Sequence, residues 1–123
     1  MDQDFNGLCF ANLNDFDMLY GHRRDPIGYA RALKEFDNKI PKIVEKLREK
    51  DLLIITADHG NDPTFKGTDH TRENVPVMMY SKQFKYTGML PEIGNFADIG
   101  ASIAKNFNLD APAIGKNIFD VFK

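Results

Sequence analysis

Apolar residues recur at Ile27, Ala30, Leu33, Phe36, Ile40, Ile43, Val44 and Leu47, in steps of three and four. That spacing puts one buried stripe on a helix. Asp25-Pro26, just before the stripe, reads as an N-cap followed by proline at the first helical position. Pro41 falls inside the stripe and either kinks one long helix or opens a second. Three stretches are short, apolar and nearly without alternation: 7–13, centred on Leu8-Cys9-Phe10-Ala11, then 52–56 and 75–80. Strands buried on both faces have this pattern. Pro76, near the start of the third, sits where a missing donor is tolerated. A second stripe, Phe96, Ile99, Ile103 and Phe107, predicts a helix over 96–107 with Asn95 as cap and Asp98 in its first turn. The tail 118–122 is apolar but too short to assign.

Strand, helix, strand, loop, strand, helix is an α/β order. It predicts one domain over 1–123 built on a largely parallel sheet with helices on both faces. Ligands gather outside the carboxyl ends of such strands, and the Asp/His-rich segments begin just past 13 and 56.

Composition narrows the function classes. Sixteen Lys and Arg against eighteen Asp and Glu leave a formal charge of -2, which argues against nucleic-acid binding driven by overall charge, a local Arg23-Arg24 patch apart. The apolar runs fall well short of the roughly 20 residues a membrane helix needs. Met1-Asp2-Gln3-Asp4 lacks the basic start and apolar run of a secretory signal. The single cysteine, Cys9, lies inside a predicted strand and has no internal disulfide partner. A reducing, cytoplasmic setting is expected.

The three histidines, His22, His59 and His70, lie in Asp-rich loops, with Asp17, Asp58 and Asp69 close by. Imidazole nitrogen with carboxylate oxygen suits Mn²⁺, Zn²⁺ or Fe²⁺ better than a thiolate-seeking metal. A lone Asp-His pair is more often a surface hydrogen bond, but three pairs with no histidine left over favour a metal site. Spacing alone names no reaction.

The wording of two segments goes further. NLNDFDMLYGHRRDPIGYA (12–30) and ITADHGNDPTFKGTDHTRENVP (55–76) closely resemble the phosphopentomutase family, within the alkaline phosphatase-like metalloenzyme superfamily. The resemblance runs from about Leu8 through Tyr80. Asp-His-Gly after a strand is shared widely in that superfamily, whereas DFDMLYGHRRDP and ADHGNDPTFKGTDHTRE are far more specific. It implies a partial alkaline phosphatase-like core, the C-terminal third of such an enzyme, with the N-terminal core segment and the cap domain absent. Two metal positions are implied: Asp17, His22 and His70 for one ion, Asp58 and His59 for the other. Mn²⁺ is the implied ion, with Mg²⁺ or Zn²⁺ as alternatives. Arg23, Arg24, Lys66 and Arg72 are candidates to meet substrate phosphate, with salt bridges to Asp25, Asp62 or Glu73 as the plainer alternative. Asp15, Asp62 and Asp69 are candidate acceptors for the outer imidazole nitrogens, and Tyr20 reads as packing.

The implied activity of the intact enzyme is reversible transfer of phosphate between C1 and C5 of ribose or deoxyribose through a phosphothreonine. None of Thr56, Thr64, Thr68, Thr71 and Thr87 matches that nucleophile, so no catalytic residue is expected in this chain and the chain alone is expected to be inactive. A pentose phosphate is the expected partner, without nucleic acid or membrane, and self-association through uncovered core surface is expected. The rivals are a phosphomonoesterase or phosphodiesterase of the same superfamily, and a non-catalytic metal-binding module.

Overall fold

Aspartate before proline starts the first regular helix. The computed structural model describes residues 4–85, 87–90 and 94–122, with residues 121 and 122 described by their backbone alone; the opening Met1 to Gln3, read above for a secretory signal, lies outside the described residues. The chain divides into two compact units, 1–83 and 84–123, taken here in turn.

In the first unit, α1 spans Pro26–Asp37, and the Asp25 carboxylate accepts a hydrogen bond from the Gly28 N–H, as the cap reading expects. Pro41 opens a second helix rather than kinking the first: α2 is Ile40–Lys46, with the proline in its first turn, where its missing N–H breaks no hydrogen bond. Leu47, just past α2, is buried.

Strand β1 is Leu53–Thr56 and β2 is Val77–Tyr80. They pair antiparallel, Leu53 opposite Tyr80 and Thr56 opposite Val77. The largely parallel sheet expected from the element order is therefore not what forms; among the described residues the sheet is this two-stranded ladder. The connection explains the reversal. A parallel return needs a crossover, usually helical, whereas 57–76 holds no helix and folds back on itself through an antiparallel bridge between Gly60 and Thr71.

The strand expected over 7–13 does not form either. That segment joins no ladder, leaves Phe10 83% exposed and exposes Cys9. Apolar content alone does not make a strand; the backbone groups need a partner edge. On the sheet, Leu53, Ile55, Met78 and Tyr80 share one face. Between that face and α1–α2 lies an open apolar cleft of about 420 Å³, which Leu33, Phe36, Ile40 and Val44 also line.

In the second unit, α3 is Ala97–Asn106. Asn95 caps it as read, its Oδ1 accepting from the Ala97 N–H at 2.9 Å. The buried face is not the predicted stripe: Asp98, Ala101 and Ser102 are buried, while Phe96 and Phe107 are exposed. Small and polar side chains win because the 115–118 backbone lies directly on them. Ser102 Oγ donates to the Asp98 carbonyl at 2.6 Å and accepts from the Ile118 N–H at 2.8 Å. Asp98 Oδ1 accepts from the Lys116 N–H at 2.8 Å. Gly115, at φ 109°, passes so close to the Ala97 carbonyl that a Cβ there would overlap it.

Candidate metal centre

Asp17 and His22 are five residues apart. On an α-helix that separation turns them about 140° away from each other. Here residues Phe16–Gly21 form a π-helical turn, in which i→i+5 bonding stacks such a pair on one side. The His22 N–H donates to the Asp17 carbonyl at 2.9 Å, and the Asp25 N–H to that of Tyr20 at 3.0 Å. Rings hold the turn on α1. Phe16 packs against Tyr29 with centroids 5.8 Å apart and edge-on to Phe36 at 6.3 Å, while Tyr20 rests where a Gly28 side chain would otherwise be.

The side chains then converge. His22 Nε2 lies 3.2 Å from Asp17 Oδ2, His70 Nε2 lies 3.4 Å from Asp17 Oδ1, and the two Nε2 atoms are 3.1 Å apart. His59 stacks on His70, centroids 3.6 Å apart and planes 18° from parallel. Ligand atoms of Asp17, His59 and His70 all lie within 4.8 Å of one another. Asp58 stands at the margin, its side chain 83% exposed and one oxygen 3.7 Å from His59 Nε2.

The outer nitrogens identify the tautomers. His22 Nδ1 meets the Thr68 carbonyl and His59 Nδ1 meets that of Gly60 at 3.2 Å. A carbonyl only accepts, so each Nδ1 carries a proton, and in the neutral ring each Nε2 then presents its lone pair to the cluster. These partners replace the carboxylates expected in that role: Asp62 instead accepts from the Thr64 N–H at 2.8 Å and from its hydroxyl at 2.7 Å. Burial works to raise the Asp17 pKa, but the Asn61 hydrogen bond and Coulombic attraction to His22, His70 and His59 in their protonated forms outweigh it and hold the carboxyl below its usual value.

Two residues of the site carry no ligand signature and escaped sequence reasoning in this role. Asn61, 9% exposed, donates from Nδ2 to Asp17 Oδ1 at 2.6 Å. Arg24, read above as a phosphate-facing cation, gives its donors to the scaffold. Nη1 reaches Asn61 Oδ1 at 2.7 Å, the Asp62 carbonyl at 2.8 Å and the Gly21 carbonyl at 3.2 Å. Its Nε meets the Gly67 carbonyl and Nη2 that of Asp69. These bonds hold it at φ 54°, a left-handed conformation uncommon outside glycine. The one available signal was Arg24 following the candidate ligand His22 so closely. Arg23, Lys66 and Arg72 are exposed. Thr71 pins the ligand loop from below, its N–H on the Gly60 carbonyl at 3.0 Å and its hydroxyl accepting from the Asp62 N–H at 2.6 Å.

Comparison with known proteins adds a family and three relatives. A family model described as Metalloenzyme superfamily matches residues 1–111. A phosphopentomutase of Clostridium botulinum is 57% identical over 122 residues, 98% of this chain and 31% of the relative. One of Clostridium tetani has the same identity and coverage, 57%, 98% and 31%. A third, of Clostridium beijerinckii, is 55% identical over 96% of this chain and 30% of its own length. The chain thus spans about a third of the length of the curated relatives it matches.

Proposed function

This chain belongs to the metalloenzyme superfamily, and we propose on that premise that Asp17, His22 and His70 hold one divalent cation, with Asp58 and His59 at a second position, for phosphoryl transfer on a pentose phosphate. The reaction supported best is that of a phosphopentomutase, interconverting the 1- and 5-phosphates of ribose or deoxyribose. One observation carries the reading: an ionised carboxylate lies 3.2 Å from His22 Nε2 and 3.4 Å from His70 Nε2, in a chain 55% to 57% identical to proteins named for that activity.

The donor set fits such a cation. Neutral imidazole and carboxylate favour Mn²⁺, with Zn²⁺ and Mg²⁺ as competitors to be measured. Asp17, His22 and His70 form one ligand set and Asp58 with His59 the other, side by side because His59 stacks on His70. When bound, the ion neutralises charge on a transferring phosphoryl group and acidifies the attacking oxygen. The chain's own contribution is positional. The Thr68 and Gly60 carbonyls fix the histidine tautomers, and the exposed Arg23, Lys66 and Arg72 attract the phosphate electrostatically. None of the five threonines supplies the nucleophile, so these 123 residues are expected to bind metal without isomerising sugar phosphate. No described helix is long and apolar enough to cross a membrane, and the soluble phosphate substrate supports a cytoplasmic setting.

Calorimetric titration with Mn²⁺ tests the proposal. One moderately tight site is expected, weakened at least about 10-fold in His22→Ala and in His70→Ala. Absence of binding, or binding indifferent to both substitutions, refutes the metal reading. Conversion of ribose 1-phosphate by this chain alone refutes the assignment of its nucleophile elsewhere.

A further inference from the structure

We propose that Asn61 is the positioning residue of the centre: its amide, set by Arg24, fixes the Asp17 carboxylate and thereby the affinity for a divalent cation. The inference rests on the metal reading above and concerns a residue which is not itself a ligand. A guanidinium has donors only, so the Asn61 oxygen must face Arg24, at 2.7 Å. The amide nitrogen is then left to face Asp17 Oδ1, at 2.6 Å. The usual ambiguity of an amide's orientation is therefore removed.

Space enforces the same geometry. Gly21 ends the turn that carries Asp17, and a Cβ at that glycine would overlap the Asn61 amide. The amide is held between the turn and Arg24, and it is buried. A carboxylate offers about four lone-pair directions. Asn61 occupies one on Oδ1 while Oδ2 faces His22 at 3.2 Å. A carboxylate already fixed in its plane loses less freedom when it takes up a cation.

The test uses the full chain, its Asn61→Ala and Asn61→Ser variants, Mn²⁺ calorimetry, and ¹⁵N side-chain amide spectra recorded with Zn²⁺. Folding is checked by far-ultraviolet circular dichroism. In both variants Mn²⁺ is expected to bind about 10- to 100-fold more weakly, with the circular dichroism spectrum retained. In the parent, the Asn61 NH₂ signals, assigned by their loss in the serine variant or, failing that, by sequential assignment, are expected to shift as Zn²⁺ saturates. Variants that bind within twofold of a parent that does bind overturn this inference and leave the metal reading standing. Weaker binding with an unmoved parent amide also overturns it, because the loss then does not run through the contact between that amide and Asp17. A parent that binds neither ion overturns both readings. Should neither variant fold, the parent amide shift decides alone.

Discussion

Gly21 and Gly100 both lie in helical backbone, and a methyl group added to each meets different surroundings. At Gly21 it would overlap the Asn61 amide and come 3.2 Å from the Phe16 carbonyl, whereas at Gly100 nothing lies within 4 Å. Gly21→Ala is therefore expected to destabilise by about 1–3 kcal/mol, the usual cost of overpacking, and to weaken Mn²⁺ binding along with it. Gly100→Ala is expected to stabilise by about 0.5–1 kcal/mol through helix propensity alone. Urea unfolding of the pair checks both signs, and a Gly21→Ala protein as stable as the parent discards the close fit around Asn61. The contrast also marks how far single residues were legible. Asp17, His22, His59 and His70 stand out in the sequence as candidate ligands because few other side-chain types suit a metal. Asn61 is an ordinary amide, and its role exists only through a contact with a residue 44 positions away. Arg24 has the look of a phosphate ligand, but five backbone and amide acceptors converge on it once the loops fold.

Elements were read well where their signals are local. The Asp25 cap, the helix after it and the strand ending at Thr56 depend on neighbours a few residues away. Asp25→Ala is expected to cost about 1 kcal/mol, measured by thermal or urea unfolding; no change denies the cap any weight. The antiparallel pairing and the unpaired 7–13 segment were not legible, since both depend on which edge a distant segment meets. The π-helical turn was hidden for another reason: its apolar spacing differs too little from an α-helix to register. The α2–β1 turn adds a pH signature. The Asp51 carboxylate accepts from the Arg48 side chain and backbone N–H, first the side-chain bond and then the backbone bond holding its pKa below the usual value against the opposing effect of burial. A lowered folded pKa means that the turn's contribution is fully present above the unfolded value of about 3.9 and fades as pH falls through the lower folded one. The stability difference between parent and Asp51→Asn should accordingly be constant from pH 7 to about 5 and shrink toward pH 2. A difference that instead grows on acidification contradicts the assigned cause.

For the whole molecule, the relevant quantity is apolar surface left in water. Among the described residues only Leu47, Ala101 and Ile118 are buried hydrophobics, while Leu8, Phe10, Phe65 and Met89 stand well exposed. A two-stranded sheet is marginal alone, and among the described residues no further strand covers either edge of β1–β2. A formal charge of -2 supplies little repulsion to keep copies apart. These conditions favour burial of apolar surface between copies, so self-association is expected to increase with concentration. Light scattering behind size exclusion should give a mass rising above 14.0 kDa as loading increases, with Phe10→Glu lowering it because that ring is 83% exposed in a segment that joins no ladder among the described residues. Charge is the reason for glutamate: in a contact between copies it would have to be desolvated without a partner, which costs several kcal/mol per ion even after relaxation, while in the separate chain it stays in water at no such cost. A mass that stays at the monomer value up to the highest concentration tested would show that the exposed apolar side chains are tolerated singly, as scattered surface hydrophobics commonly are.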